Sequence, residues 1–139
     1  MTELLTLFRR AHKLLSAASD EAMSRHGVRL GQNLVLEVLW AEDGLTPGEL
    51  ATRLHVTTPT IVNTATRMEK AGLVVRRRDP TDARLVRVYL TEEAKAAQDP
   101  IQRARGELER HATATLTEEE RDHLRNALAK IIDQLADGR

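Results

Sequence analysis

The residues of this sequence that could do chemistry are cations, hydroxyls and amides concentrated in the middle of the chain. Residues 46–90 contain eight Lys or Arg and four Asp or Glu, a net charge of +4. Residues 1–45 have a net charge of −1 and residues 91–139 one of −3, so the whole chain is neutral. A basic segment between neutral and acidic flanks is the pattern expected of a surface that meets a polyanion such as nucleic acid.

Other kinds of chemistry lack the residues they need. The sequence contains no cysteine, which excludes disulfides, thiolate metal ligands and thiol catalysis. It has no nucleophile motif, no glycine-rich phosphate loop and no paired carboxylates in an apolar setting. No apolar run approaches the roughly 20 residues of a membrane span, and the N-terminus lacks the layout of a signal peptide. We therefore predict a cytoplasmic protein that is not an enzyme, does not contact a membrane, and needs no metal or cofactor.

Two short helices account for the first part of the basic segment. Thr46-Pro47-Gly48-Glu49 combines a capping threonine, a proline at the first helical position and a glutamate that can complete a capping box. Thr57-Thr58-Pro59 repeats this start signal after a short turn, and Gly72 ends the second helix. Two short helices joined by a turn of three or four residues predict a helix-turn-helix motif.

The second helix of this motif has two chemically different faces. Ile61, Ala65 and Met68 recur at i, i+4 and i+7, which predicts that they face the core. The opposite face is small, polar and basic, and it consists of Pro59, Thr60, Val62, Asn63, Thr66, Arg67 and Lys70. Such a surface can enter a major groove, where Asn and Arg side chains supply hydrogen bonds to base edges.

A β-hairpin is predicted directly after the second helix. Residues 73–78 and 85–90 have the composition of strands, and Val86, Val88 and Leu90 recur with a period of two. The loop between them contains the turn formers Asp, Pro and Thr. A hairpin in this position is typical of the wing of a winged helix-turn-helix.

Helices flank this unit on both sides. Residues 3–25 have helical apolar periodicity, a helix that begins near Thr91 should kink or break at Pro100, and the last helix starts at a capping box, Thr117–Glu120. The predicted fold is mainly α with a small two- or three-stranded β-wing, in one domain of residues 1–139. Residues 31–91 form the winged helix-turn-helix, and residues 1–27 and 92–139 form helical regions for dimerisation.

The chain resembles the MarR (multiple antibiotic resistance regulator) family of bacterial transcription regulators. The resemblance depends mainly on the wing, Arg76…Asp79-Pro-x-Asp82-x-Arg84…Val88-x-Leu90-Thr91, and on Met68-Glu-Lys-Ala-Gly-Leu-Val before it. It implies a homodimer whose second motif helix reads the major groove of double-stranded DNA while the wing reaches the neighbouring minor groove. It also implies a regulator, expected to be a repressor acting on a palindromic operator, that responds to a small aromatic or anionic effector.

The family roles fall on particular residues of this sequence. Arg84, at the tip of the wing, suits the negative potential of a narrow minor groove, and Asp82 is expected to brace it. Arg76 and Arg78 are further DNA contacts, although the sequence does not decide which of Arg76, Arg77 and Arg78 touch DNA. The candidate contacts of the second helix are Asn63 and Arg67 to bases, Val62 to a thymine methyl, and Thr57, Thr58 and Thr60 to phosphates. Helix capping alone is an equally good interpretation of Thr57 and Thr58.

The effector and two alternative functions have less support in the sequence. His12, His26 and Trp40 lie near the expected effector pocket and are candidate ligand contacts. One alternative is a metal-responsive winged-helix repressor that uses His111 and His123 across the dimer. The other is a winged helix that binds an acidic protein in place of DNA, which would be insensitive to salt.

Overall fold

The computed structural model describes residues 2–137, apart from the side chain of Leu30, so both ends of the predicted 1–139 domain lie outside the described residues. The helices are α1 (Leu4–Ser24), α2 (Leu30–Ala41), α3 (Pro47–Leu54), α4 (Thr58–Lys70), α5 (Glu92–Ala96), α6 (Gln98–Ala112) and α7 (Glu118–Asp137). The strands are β1 (Val74–Arg78) and β2 (Val86–Leu90). The chain divides into two compact units, one ending at Arg105 and the other beginning at Gly106. None of the described helices is both long enough and apolar enough to span a bilayer.

The helix-turn-helix is formed by α3 and α4, and local capping fixes where both helices begin. The Thr46 hydroxyl accepts a hydrogen bond from the Glu49 amide at 3.2 Å, and the Glu49 carboxylate accepts one from the Thr46 amide at 3.3 Å. This reciprocal pair is the predicted capping box. His55 ends α3 with φ +56°. This left-handed backbone conformation is unfavourable in free energy for residues other than glycine. Thr57 then caps α4.

The core of the first unit lies beneath α4. Ile61, Ala65 and Met68 are all buried, which confirms the predicted apolar stripe. Every element of the unit contributes to the rest of the core, and α1 does so only near its end. These side chains include Met23, Val28, Val35, Leu36, Leu39, Leu45, Leu50, Val74, Val88, Leu90, Ala94 and Ile101. Because α4 is anchored by one face only, its opposite face is free to meet another molecule.

The sheet holds the wing against the segment that precedes α3. β1 and β2 pair antiparallel, from Val74 opposite Leu90 to Arg78 opposite Val86. Leu45 adds an isolated bridge to this two-stranded sheet, because its carbonyl accepts a hydrogen bond from the Val88 amide at 2.8 Å. The hairpin is therefore not a free ribbon, and its base is fixed to the helix-turn-helix.

The predicted break near Pro100 is present, and it separates α5 from α6. Helix α5 ends at Ala96, which is four residues before the proline. A proline in a helix has no amide hydrogen to donate and its ring collides with the carbonyl four residues earlier. One continuous helix through this segment is therefore disfavoured, and α6 takes Pro100 into its first turn.

The second unit contains the end of α6 and all of α7. The Thr117 hydroxyl accepts from the Glu120 amide and the Glu120 carboxylate accepts from the Thr117 amide, so the predicted capping box is again formed. The described residues of α7 include none that is fully buried. Its apolar stripe is exposed to a degree that is unusual for large aliphatic side chains, with Ile132 at 63% and Leu135 at 69%.

Gly44→Ala should destabilise the fold. Gly44 has φ +74°, and a Cβ atom added there would lie 2.7 Å from Cε1 of the Tyr89 ring. The left-handed backbone and the displaced ring should together lower the free energy of unfolding, measured by urea denaturation, by about 1–3 kcal/mol. Gly27→Ala is the matched control, since Gly27 has the same φ with nothing within 4 Å of its added Cβ. Equal losses of unfolding free energy in the two variants would show that the clash with Tyr89 contributes nothing to the destabilisation.

Candidate nucleic-acid interface

The N-terminus of α4 is built from threonines, and the structure distinguishes their roles. The Thr57 hydroxyl accepts a hydrogen bond from the Thr60 amide at 3.4 Å and lies 2.9 Å from the Thr60 hydroxyl. Thr58 stands in the first turn, exposed, and its hydroxyl forms no hydrogen bond within the described part of the chain. Thr57 thus caps α4 and its hydroxyl pairs with that of Thr60, whereas the Thr58 hydroxyl is available to a ligand.

The outer face of α4 carries the side chains that the sequence assigns to base contacts. Val62, Asn63 and Arg67 are exposed, and Val62 exposes 38% of its surface. Among the described residues, neither the Asn63 amide nor the Arg67 guanidinium has a hydrogen-bond partner or an ion pair. These groups therefore retain their full hydrogen-bonding capacity, which is what recognition of a base edge requires.

The loop of the wing is folded around one carboxylate oxygen. Asp79 Oδ1 accepts hydrogen bonds from the Thr81 amide at 2.8 Å, the Thr81 hydroxyl at 2.8 Å and the Asp82 amide at 3.2 Å. The Asp79 amide in turn donates to the Leu85 carbonyl at 2.9 Å, which closes the loop at its base. A side chain that satisfies several backbone donors in this way gives an otherwise irregular loop one defined conformation.

Arg84 extends from the wing loop while Asp82 holds its base. Asp82 Oδ1 accepts from the Arg84 amide and from Arg84 Nε, both at 3.1 Å, and Oδ2 accepts from a terminal guanidinium nitrogen at 3.2 Å. These bonds hold the pKa of the Asp82 carboxyl below its usual value. The Arg84 side chain is nevertheless 90% exposed. This geometry is what the bracing role predicted for Asp82 requires.

The three consecutive arginines of β1 are in different environments. Arg76 is half-buried, and both its amide and its guanidinium donate to the Glu69 carboxylate, at 3.1 and 3.0 Å. These bonds lower the pKa of Glu69 and connect the end of α4 to the wing. Arg78 is exposed and donates to the Ala83 carbonyl, and Arg77 is exposed with no partner among the described residues. Arg76 is thus occupied within the fold, whereas Arg77 and Arg78 face solvent.

Sequence reasoning did not identify Arg87, which lies at the centre of a group of partly buried contacts. Its Nε donates to Asp79 Oδ2 at 2.6 Å and its terminal nitrogen donates to the Gly44 carbonyl at 2.9 Å. The same nitrogen is 3.6 Å from Glu49 Oε1. The available signal was an arginine inside a strand of alternating apolar residues, since a cation at a half-buried position needs an acidic partner.

Asp43 is a second residue that the sequence did not single out. Its Oδ1 accepts hydrogen bonds from the Gly44 amide at 3.0 Å and from the Leu90 amide at 2.9 Å. The carboxylate thereby connects the turn after α2 to the end of β2. Because both bonds come from backbone amides, Asp43 helps to hold the wing in place through the main chain.

The three candidate effector contacts are not joined by any hydrogen bond among the described residues. Trp40 is half-buried, and its indole N–H donates to the Ala94 carbonyl at 3.0 Å. His12 lies exposed on α1 and His26 lies exposed in the turn that follows it. Their assignment to an effector stays a prediction.

The histidines of the metal-dependent alternative lie in the second unit. His111 is exposed on α6, and His123 on α7 is 4.0 Å from Glu119, its neighbour one helical turn away. Within residues 2–137, no group of three or more His, Asp or Glu side chains is arranged to hold a metal ion.

Comparisons with known proteins agree on one family. A sequence model of the MarR family matches residues 29–86. An uncharacterised helix-turn-helix transcriptional regulator of Mycobacterium bovis is 36% identical over 100 residues, which cover 72% of this chain and 70% of that protein. The regulator TtmR of Methylorubrum extorquens is 37% identical over 73 residues, and the match spans 52% of this chain but only 37% of TtmR.

A solved structure extends this likeness over almost the whole fold. The S. aureus MepR–DNA complex matches with a TM-score of 0.87 at 25% identity, covering 96% of this chain and 99% of that chain. The fold therefore defines a winged helix-turn-helix protein. Within that class the chain belongs to the MarR family of transcriptional regulators. The predicted fold, the predicted family and the prediction that the protein is not an enzyme are confirmed.

Acid should loosen the wing through Asp79. Hydrogen bonds from Arg87 and then from Thr81 hold the pKa of Asp79 well below its ordinary value of 3.8. A carboxyl whose pKa is lower in the folded state stabilises the fold above its ordinary pKa, and this contribution is lost as the pH falls below that value. Wild type should therefore be more stable than Asp79→Asn near neutral pH, and the gap in melting temperature should narrow below about pH 4.

The control for this titration is Asp133→Asn, the same chemical change at an exposed carboxylate of α7 with no ion pair among the described residues. Its melting temperature should follow that of wild type at every pH. A constant gap between wild type and Asp79→Asn from pH 7 to pH 3 would contradict the assignment of the acid sensitivity to Asp79.

Proposed function

We propose that this regulator acts as a homodimer that binds a palindromic DNA operator, represses transcription and is modulated by a small molecule. The observation that carries the proposal is the pairing of two exposed surfaces within the first unit. One is the exposed polar face of α4, on which the Asn63 and Arg67 side chains have no partner among the described residues, and the other is Arg84 held outward at the wing by Asp82. The first suits a major groove and the second an adjacent minor groove.

The face of α4 supports sequence-specific reading. Asn63 and Arg67 keep unused donors on an exposed helical surface, and the exposed Val62 beside Asn63 offers an apolar contact for a thymine methyl group. Lys70 and the exposed Arg77 and Arg78 add positive charge around that surface. Phosphate contacts by such side chains position a protein on DNA, and the base contacts specify the sequence.

The first turn of α4 supports a phosphate contact that orients the helix. Its leading amides lie at the positive end of the helix dipole, where anions bind favourably. Thr58 adds an exposed hydroxyl there that the fold does not use. Of the three threonines proposed for phosphate, Thr58 is the one whose hydroxyl has no hydrogen-bond partner among the described residues.

The exposed apolar side chains of the terminal helices support a homodimer. In the first unit, α1 exposes Leu4, Leu5, Leu7, Phe8, Leu14 and Leu15. In the second unit, α7 exposes Leu124, Leu128, Ile132 and Leu135. Contiguous apolar surface of this kind marks an interface, and two copies related by a twofold axis would place their α4 helices about 34–36 Å apart for a palindromic site.

Repression and effector control rest on the family resemblance. The proposed effector is a small aromatic or anionic molecule, with His12, His26 and Trp40 as its candidate contacts. The exposed imidazoles of His12 and His26 supply hydrogen-bonding groups for such a ligand. Trp40 offers the face of its ring, since its indole N–H is already bonded to the Ala94 carbonyl.

Selection of bound sequences from a random duplex pool tests the proposed function. Full-length protein should enrich a palindromic consensus whose two half-sites are about one helical turn apart. Affinity for that consensus should fall steeply between 50 and 200 mM salt, by about 10³-fold or more if six phosphates are neutralised. Failure to enrich any sequence, with weak binding to all duplexes, would refute the operator and leave binding of an acidic protein as the alternative.

Arg84→Ala should weaken binding to the selected operator by about tenfold, equivalent to ~1.4 kcal/mol. It should also reduce the steepness of the plot of log affinity against log salt concentration by about one unit. The reason is that one exposed cation would be lost from the minor groove without loss of a core contact. The measurement is a fluorescence-anisotropy titration at several salt concentrations, with dimerisation followed by sedimentation. Arg103→Ala, at an exposed position on α6, is the control for loss of charge alone. Unchanged operator affinity in Arg84→Ala would remove the wing from the interface.

A further inference from the structure

The guanidinium of Arg87 joins three segments that are far apart in the sequence. Asp79 opens the wing loop, Gly44 belongs to the turn between α2 and α3, and Glu49 lies in the first turn of α3. Arg87 contacts them at 2.6, 2.9 and 3.6 Å respectively. Its side chain is 28% exposed and that of Asp79 only 10%, so the pair is largely shielded from solvent. Shielded, hydrogen-bonded charge pairs are stronger than exposed ones.

Each acidic partner of Arg87 also holds another part of the fold. Asp79 uses Oδ2 for Arg87 while its Oδ1 organises the Thr81 and Asp82 amides of the loop. Glu49 uses the same oxygen that approaches Arg87 to cap the Thr46 amide. The contacts of Arg87 are therefore continuous with the loop at one end and with the start of the helix-turn-helix at the other.

The partner across the sheet shows why Arg87 needs these contacts. Arg77 lies directly opposite Arg87 in the antiparallel register, and like charges in that position repel. Arg77 is exposed without a partner among the described residues, whereas Arg87 is neutralised by Asp79. Two opposite arginines of the same sheet thus differ in whether the side chain is bound to the fold.

We propose that Arg87 is a positioning residue that fixes the wing loop, and with it Arg84, against the start of the helix-turn-helix. The connection runs from Arg87 through Asp79 to the Asp82 amide, and from the Asp82 carboxylate to Arg84. Arg87 itself does not touch DNA. Arg87 restricts the loop before DNA binds, so that the loop loses less conformational entropy on binding. This increases affinity for DNA without adding a contact. The part that concerns Arg84 rests on the proposed binding of DNA.

The first test uses the DNA-free protein and amide hydrogen exchange. Arg87→Gln should speed exchange of peptides that cover residues 79–85 by about fivefold or more, because the loop opens more often once its anchor is lost. Arg77→Gln makes the same chemical change on the opposite strand and should leave that exchange rate unchanged. Asp79→Asn removes the same ion pair from its other side and serves if Arg87→Gln does not fold. Unaltered loop exchange in both Arg87→Gln and Asp79→Asn would overturn the proposal.

The second test is a double-mutant cycle on the selected operator. If Arg87 acts by positioning Arg84, then Arg84→Ala should cost about tenfold in the wild-type background and less than about twofold in Arg87→Gln. In the Arg77→Gln background the full cost of Arg84→Ala should remain. If the loss of binding free energy in the double variant equals the sum of the losses in Arg84→Ala and Arg87→Gln, the positioning role is refuted. The two arginines would then contribute their charges independently. If wild type binds no duplex at all, the proposed function fails, and hydrogen exchange still decides whether Arg87 holds the loop.

Discussion

The burial of one face of α4 is the constraint on which the rest of the structure depends. Ile61, Ala65 and Met68 are removed from solvent by neighbouring elements of the first unit. Burying an aliphatic side chain stabilises a fold by about 1.5–3 kcal/mol, so this stripe fixes the rotation of the helix about its axis. Once that rotation is fixed, Asn63 and Arg67 must point outward. The same contacts that stabilise the core thus select the surface that can meet DNA.

Electrostatics then divides the arginines of α4 and the wing into two groups with different roles. Arg76 and Arg87 are partly buried and bound to Glu69 and Asp79, so they hold the wing in place. The arginines that remain exposed on α4 and the wing are Arg67, Arg77, Arg78 and Arg84. Glu69, Asp79 and Asp82 each form an ion pair with an arginine of residues 46–90, and the eight cations of this segment outnumber its four acids. These four exposed arginines remain at the surface, where a polyanion can reach them, and Arg84 does so while paired with Asp82.

The terminal helices present the opposite situation, in which apolar groups have no partner within their own unit. Exposure to water of the leucines of α1, and separately of those of α7, is unfavourable in free energy. Burial of these side chains in an interface between copies would remove that unfavourable exposure. A dimer built in this way would couple the spacing of two α4 helices to the packing of helices remote from DNA. In the proposed dimer, a small molecule that altered that packing would change affinity for the proposed operator by changing the spacing of the α4 helices.

The sequence by itself determined the elements of this protein, because the signals that define them are local. The capping boxes at Thr46 and Thr117 act within three residues, and the stripe on α4 is a matter of helical period. The wing loop, with Asp82 beside Arg84, is likewise short-range. The helix-turn-helix, the wing and the family were therefore predictable.

Tertiary structure alone decided which charged residues are free and which are held. Arg76 and Arg77 are adjacent and chemically identical, yet the first is bound to Glu69 and the second is exposed. Arg87 reaches the Gly44 carbonyl, which is 43 residues away along the chain. No local pattern encodes such a contact, because it exists only after α3, β1 and β2 have packed together. The sequence thus specified the segment in which the proposed interface lies, and long-range packing specified which side chains that segment presents.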